Sequence, residues 1–358
     1  MRAHTVSFSL LSCYALGESS PLQGFEKAPP EVQEILTKPI RELGLKLEGS
    51  PLERFVQKLY RELEAKGIRK FRPPCYLSDE WGCPSEEPVI GIPFYLANPK
   101  LQRLEKEMND LEDAREIMMY LRHEAGHAYN YAYELYKTTE WRDLFGPFRR
   151  PYRDKYKPVP FSRQFVRYMP GWYAQKHPDE DFAETFAVWL TPRSNWRQKY
   201  KGWGALAKLK YMERIARRFR NVDPVRTHGN KDITVEEMDS TVHEFYEKMA
   251  NLEPVPGELA LDTDLVDIFN VSKRKRKGVR PAADLLKENR KILTDKVAYW
   301  TGVQRPLIKN LVESIVTRVG ELGLLADVKN EAQYITEITA YATAMAMNYL
   351  TRGKFIQP

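Results

Sequence analysis

Residues 120–130 read YLRHEAGHAYN, with two histidines four positions apart and a glutamate directly after the first. Around them Leu121, Ala125, Ala128, Ala132 and Leu135 recur at spacings of four, three, four and three. That is the stripe of a helix with one face in a core. Positions i and i+4 share a helix face, so His123 and His127 can direct ring nitrogens at one ion about 2.0–2.1 Å away, as zinc requires. Glu124 is turned by about 100° from His123 and lies beside such an ion, where a base takes a proton from an attacking water. Gly126, between the histidines, costs about 1 kcal/mol relative to Ala inside a helix, which predicts a second backbone passing close by. The competing explanation is a solvated helix that carries two imidazoles by chance. The decision rests on whether the chain supplies a third ligand.

The second informative stretch is YAQKHPDEDFAETFAVWLTP, residues 173–192. Pro178 is well placed to start a helix and Pro192 to stop it. Phe182, Phe186, Trp189 and Leu190 follow at helical spacing, and Glu180 and Glu184 are themselves four apart. A helix this apolar is expected to be buried, and buried carboxylates are costly unless they are paired or bind a metal. A zinc–histidine pair would satisfy them; a salt bridge to Arg122 or Arg163 is the alternative.

Together the two stretches resemble the gluzincin metallopeptidases, in which H-E-x-x-H on one helix is followed some fifty residues later by a glutamate on a second. YAQKHPDEDFAETFAVWL is similar to the signature of the bacterial zinc-binding metallopeptidases, and the arrangement also resembles the catalytic domain of anthrax-lethal-factor-type peptidases. The resemblance covers about residues 88–195. It implies a zinc enzyme that cleaves peptide bonds, with His123, His127 and Glu180 as metal ligands and Glu124 as catalytic base. It further implies that Glu184 holds a ligand histidine by its other ring nitrogen and that Tyr173 supports the transition state, with Tyr168 as a neighbouring candidate. Exchange of Glu180 and Glu184 is the alternative assignment. His177, just before Pro178, is expected to serve the helix entry. The chain lacks the four-cysteine ribbon many relatives carry, and the resemblance does not extend to residues 230–358, so it leaves substrate choice open.

Length and composition agree with a folded protein. The chain has 358 residues, 42% hydrophobic, with a net charge of +7. Three cysteines, Cys13, Cys75 and Cys83, form no C-x-x-C pair and predict reduced thiols in a cytoplasmic setting. Residues 1–17 only faintly resemble an export signal and are expected to form an ordinary buried element. No stretch reaches the roughly 18–20 apolar residues of a membrane span.

The expected fold is α+β and mostly helical, divided as residues 1–70 (N-terminal helical segment), 71–225 (a zincin-like domain with a small edge sheet and an active-site helix) and 226–358 (C-terminal helical region). One long helix is expected over about 101–136, with a break near Asn109. Residues 138–177 are expected to be irregular, and VIGIPFYLAN to form an edge strand on which a peptide or protein substrate adds a further strand. Arg149, Arg150, Arg153, Arg163 and Arg167 lie between the two motifs, as candidates to bind acidic substrate groups or as plain surface charge. Two other functions stay in view: a nucleic-acid-associated protein, weakly supported by the basic run Lys273–Lys277, and a non-catalytic binding protein of the same fold, against which an intact Glu124 argues.

Overall fold

The computed structural model describes residues 30–108, 111–153, 156–250, 261–269, 278–353 and 355. The readings of the first 17 residues, of Cys13 and of Lys273–Lys277 fall outside them. Two compact units are present, and the first ends at Tyr246.

In the first unit the elements run α1 (Pro30–Thr37), α2 (Glu53–Ala65), β1 (Cys75–Ser78), β2 (Ile90–Pro93), α3 (Pro99–Met108), α4 (Ala114–Ala132), α5 (Thr139–Phe145), α6 (Pro178–Leu190), α7 (Trp196–Lys199), α8 (Ala205–Arg218) and α9 (Val242–Ala250), the last extending past Tyr246. The second unit holds α10 (Asp262–Ile268), β3 (Val279–Pro281), α11 (Ala282–Thr301), α12 (Arg305–Glu321), β4 (Leu325–Asp327) and α13 (Glu331–Arg352). Leu286, Val297, Leu311, Ile315 and Met345 are among the buried side chains of its own core. The protein is mostly helical α+β, as its helical periodicities predict. Among the described residues no helix is long and apolar enough to cross a membrane.

The expected 101–136 helix is two helices. Asp113 starts the second: its side chain accepts from the amides of Arg115 and Glu116 at 2.7 and 2.9 Å, while Glu116 accepts from the Asp113 amide at 2.8 Å. This reciprocal box satisfies donors that a helix start leaves open. The predicted stripe on α4, Leu121 to Ala132, is buried, and Leu135 follows it into the core from a short 3-10 turn. Arg122 ties α4 to α2 through two parallel bonds to Glu62, 2.7 and 2.9 Å long.

Two expectations about chain path are corrected. Residues 139–145 are helical, not irregular, because Trp141 and Phe145 pack against Phe182 of α6, tilted and edge-on, at ring distances of 6.1 and 5.3 Å. The strand at VIGIPFYLAN is short, Ile90–Pro93, and breaks into a 3-10 turn at Phe94. It pairs in parallel with β1, while on Gly91 both backbone groups are taken by Gly82. All four β2 residues are buried, so β2 offers no free edge at Gly91 for an added substrate strand.

α4 and α6 pack face to face around Gly126. A Cβ built on Gly126 would lie 2.8 Å from the Ala183 Cα and 3.0 Å from its carbonyl oxygen. Backbone cannot yield as a side-chain tip does, so this glycine sets how closely the helices approach. Gly126→Ala gains about 1 kcal/mol of helix propensity but overpacks a contact of a kind that costs about 1–3 kcal/mol and occasionally more. We expect net destabilisation in urea unfolding and a weaker metal site; unchanged stability would show that the helices can separate freely.

Candidate metal centre

α4 brings His123, Glu124 and His127 to the interface with α6, and α6 brings Asp179, Glu180 and Glu184. His123, Glu124, His127, Glu180 and Glu184 are all 0% exposed. His177 caps α6: its Nδ1 accepts from the Asp179 amide at 3.2 Å, and its Nε2 donates to the Arg150 carbonyl at 2.8 Å. Its ring is therefore occupied at both nitrogens by the helix entry.

Three atoms form a small triangle. His123 Nε2 and His127 Nε2 are 3.1 Å apart, and Glu180 Oε2 lies 3.1 Å from the first and 3.3 Å from the second. Donors about 2.0–2.1 Å from a tetrahedral zinc are spaced by about 3.3–3.4 Å, so this set needs little adjustment to hold one. His123, His127 and Glu180 are the sole His/Cys/Asp/Glu group of this kind among the described residues.

The opposite ring nitrogens orient the imidazoles. His123 Nδ1 faces Glu184 Oε1 at 3.1 Å, and the other Glu184 oxygen accepts from the amides of Tyr168 and Met169 at 3.2 and 3.0 Å. His127 Nδ1 faces Asp179 Oδ2 at 2.9 Å. Asp179 also accepts from Asn130 Nδ2 at 2.8 Å and from the Tyr131 hydroxyl. Carboxylates at both Nδ1 atoms hold the proton there and turn each Nε2 lone pair toward the triangle.

The electrostatics follow from burial. Burial lowers the His123 imidazole, but Glu180 and Glu184 outweigh it and raise its pKa to about 9. His127 is likewise opposed by burial and raised well above the usual range, by Asp179 and Glu180. Burial pushes Glu180 up, yet the two imidazoles hold it well below the ordinary carboxylate range. A concentration of buried negative charge thus draws positive charge to the triangle. Glu124 sits beside it, and neither of its oxygens has a hydrogen-bond partner. Burial raises Glu124 to about 7 against the lowering by His123 and His127.

Tyr173 stands beside His123 and Tyr152. Its ring lies edge-on to His123 at 5.8 Å, and its hydroxyl meets that of Tyr152 at 3.1 Å. Tyr152 in turn donates to Glu180 Oε1 at 2.6 Å. Tyr168 reaches the site through its amide. Neither salt-bridge candidate pairs with the glutamates: Arg122 binds Glu62, and Arg163 is exposed. Arg149, Arg150 and Arg153 are exposed as well, whereas Arg167 packs over Phe161, Trp172 and Trp203 at 5.3, 5.5 and 5.3 Å. Cys75 and Cys83 are free thiols, and burial raises both.

Two residues at the site escaped the sequence reading, Asp179 and Tyr152. Asp179 had a signal: Asn130 and Tyr131 stand three and four positions after His127 and share its face, so a polar partner for that face was required. Tyr152 lies in irregular chain, where no periodicity points to it.

The chemistry of the donor set fits zinc: two imidazoles and a carboxylate, oriented from behind, with an unbonded carboxylate alongside. No curated protein and no solved structure matches the chain significantly. Residues 89–244, which contain both helices of the triangle, match the family model described as "Putative zinc-binding metallo-peptidase".

Proposed function

We propose that the protein hydrolyses peptide bonds in a peptide or protein substrate, with a zinc ion held by His123, His127 and Glu180 and with Glu124 as general base. The observation that carries this reading is Glu124 itself. A carboxylate with no exposed surface and no hydrogen bond is costly to keep, and a purely structural ion has no use for it. Beside an ion it has one, which also argues against a non-catalytic binding protein.

When bound, zinc supplies Lewis-acid chemistry that acidifies water and polarises a carbonyl. The chain's own residues do the rest. Glu124 takes a proton from the attacking water and passes it to the departing amine. Burial favours both transfers, because it holds this carboxyl near neutrality instead of at the usual carboxylate value. Glu184 and Asp179 keep the two imidazoles turned inward and stabilise them. Tyr173 donates to the oxygen that gains charge as the carbonyl is attacked, exchanging its bond with Tyr152 to do so.

Glu124→Gln keeps shape and burial while removing the base. We expect it to retain metal and fold and to lose about 10²–10⁴-fold in the rate of peptide cleavage, the usual range for such a group; unchanged turnover would remove Glu124 from this role. Proton release offers a test without substrate. Because the carboxylates raise His123 to about 9 and raise His127 as well, the imidazole pair holds a proton at pH 7 beyond those on its Nδ1 atoms, and a metal must displace it to bind. Zinc titrated calorimetrically into metal-free protein at pH 7, in buffers of different ionisation heat, should release at least one proton, and binding should strengthen as pH rises toward 9. Uptake without proton release would contradict the proposed ligands.

A further inference from the structure

Glu180 presents its two oxygens to different neighbours. Oε2 faces the imidazoles at 3.1 and 3.3 Å, and Oε1 accepts from the Tyr152 hydroxyl at 2.6 Å. Tyr152 belongs to neither helix. It comes from the irregular chain after α5, between exposed Pro151 and Arg153. Its hydroxyl lies 3.1 Å from that of Tyr173, and the buried Lys176 ammonium is 3.4 Å from the Tyr173 hydroxyl and 4.3 Å above the Tyr152 ring.

The donor inventory sets the direction of this chain of bonds. An ammonium only donates, so Lys176 gives a proton to the Tyr173 oxygen. Tyr173 then directs its own proton at the Tyr152 oxygen, and Tyr152 directs its proton at Glu180. A hydroxyl from an otherwise exposed segment is thereby pinned to the one carboxylate oxygen that the histidines leave open. Hydrogen bonds of this charged type are roughly twice as strong as neutral ones.

We propose that Tyr152 is a positioning residue that restricts Glu180 to a single metal-facing oxygen, and so keeps the site at the low coordination number of zinc. The inference rests on the metal site proposed above. Hard cations such as calcium take six to eight oxygens and use carboxylates in two-oxygen mode, and manganese also suits oxygen-rich sites. With Oε1 held by Tyr152 at 2.6 Å, turning that second oxygen toward a metal requires the carboxylate to rotate against this bond. Without the hydroxyl, Glu180 is free to turn both oxygens inward.

The test replaces zinc with Co²⁺ in the full chain and reads visible absorption, which is intense for four-coordinate cobalt and weakens as ligands are added. Tyr152→Phe is expected to lose intensity and to lower the preference for Zn²⁺ over Mn²⁺ by about tenfold or more, the scale on which partners of metal ligands act. Tyr152→Leu also lacks the hydroxyl and is measured in parallel, so that a folding failure of one leaves the other. Tyr173→Phe leaves the Tyr152–Glu180 bond in place and should keep the wild-type spectrum. Equal absorption in wild type and both hydroxyl-free variants overturns the proposal for Tyr152. Wild-type protein that takes up no Co²⁺ overturns the metal site itself, which is a separate failure.

Discussion

The close approach of α4 and α6 at Gly126 and Ala183 is the contact on which the rest depends. With a Cβ position only 2.8 Å from backbone, the two helices stand near enough for carboxylates of one to reach both ring nitrogens of histidines on the other. Both distances from Glu180 to the histidines are set by this spacing. Wider helices would leave Glu180 and Glu184 buried without partners, at a cost no apolar packing on α6 offsets cheaply.

That contact also explains the arrangement of charge. Asp179, Glu180, Glu184 and Glu124 crowd a region without exposed surface, and the compensating groups inside it are two imidazoles. Such an excess of carboxylate stabilises a cation and raises the imidazoles until one binds. The outer ties serve the same end. Arg122 on Glu62 anchors α4 from behind. Lys208 reaches Asp181 of α6 as a buried pair and the Gln164 carbonyl at 2.9 Å. It thereby steadies the loop whose amides hold Glu184. Rigid support of this kind maintains a metal site with little room to relax.

Much of this was legible in the residues. The four-residue spacing of His123 and His127, the apolar periodicity of α6 and the placement of Pro178 located two helices and the faces they share. Gly126 announced a close backbone because a glycine inside a helix needs a reason. Other features were hidden for physical reasons. A break near Asn109 was legible, but the start of α4 depends on a capping box at Asp113 that apolar periodicity does not mark. α5 is held by aromatic packing on Phe182, a tertiary effect. β2 is shorter than its β-rich composition suggested because the chain turns at Phe94. Asp179 is one of three consecutive acids, and only the helix phase decides which faces His127. Tyr152 is placed by loop geometry that no local rule predicts.

Zinc content decides between the two carboxylates on α6. Equilibrium dialysis followed by metal analysis of wild type, Glu180→Ala and Glu184→Ala should give about one zinc per chain for wild type and none for Glu180→Ala. Glu184→Ala should keep its zinc with roughly 10–100-fold lower affinity, because it loses only the support behind His123. Full retention by Glu180→Ala with loss in Glu184→Ala would contradict the account, since the triangle would then not be the place where the metal binds.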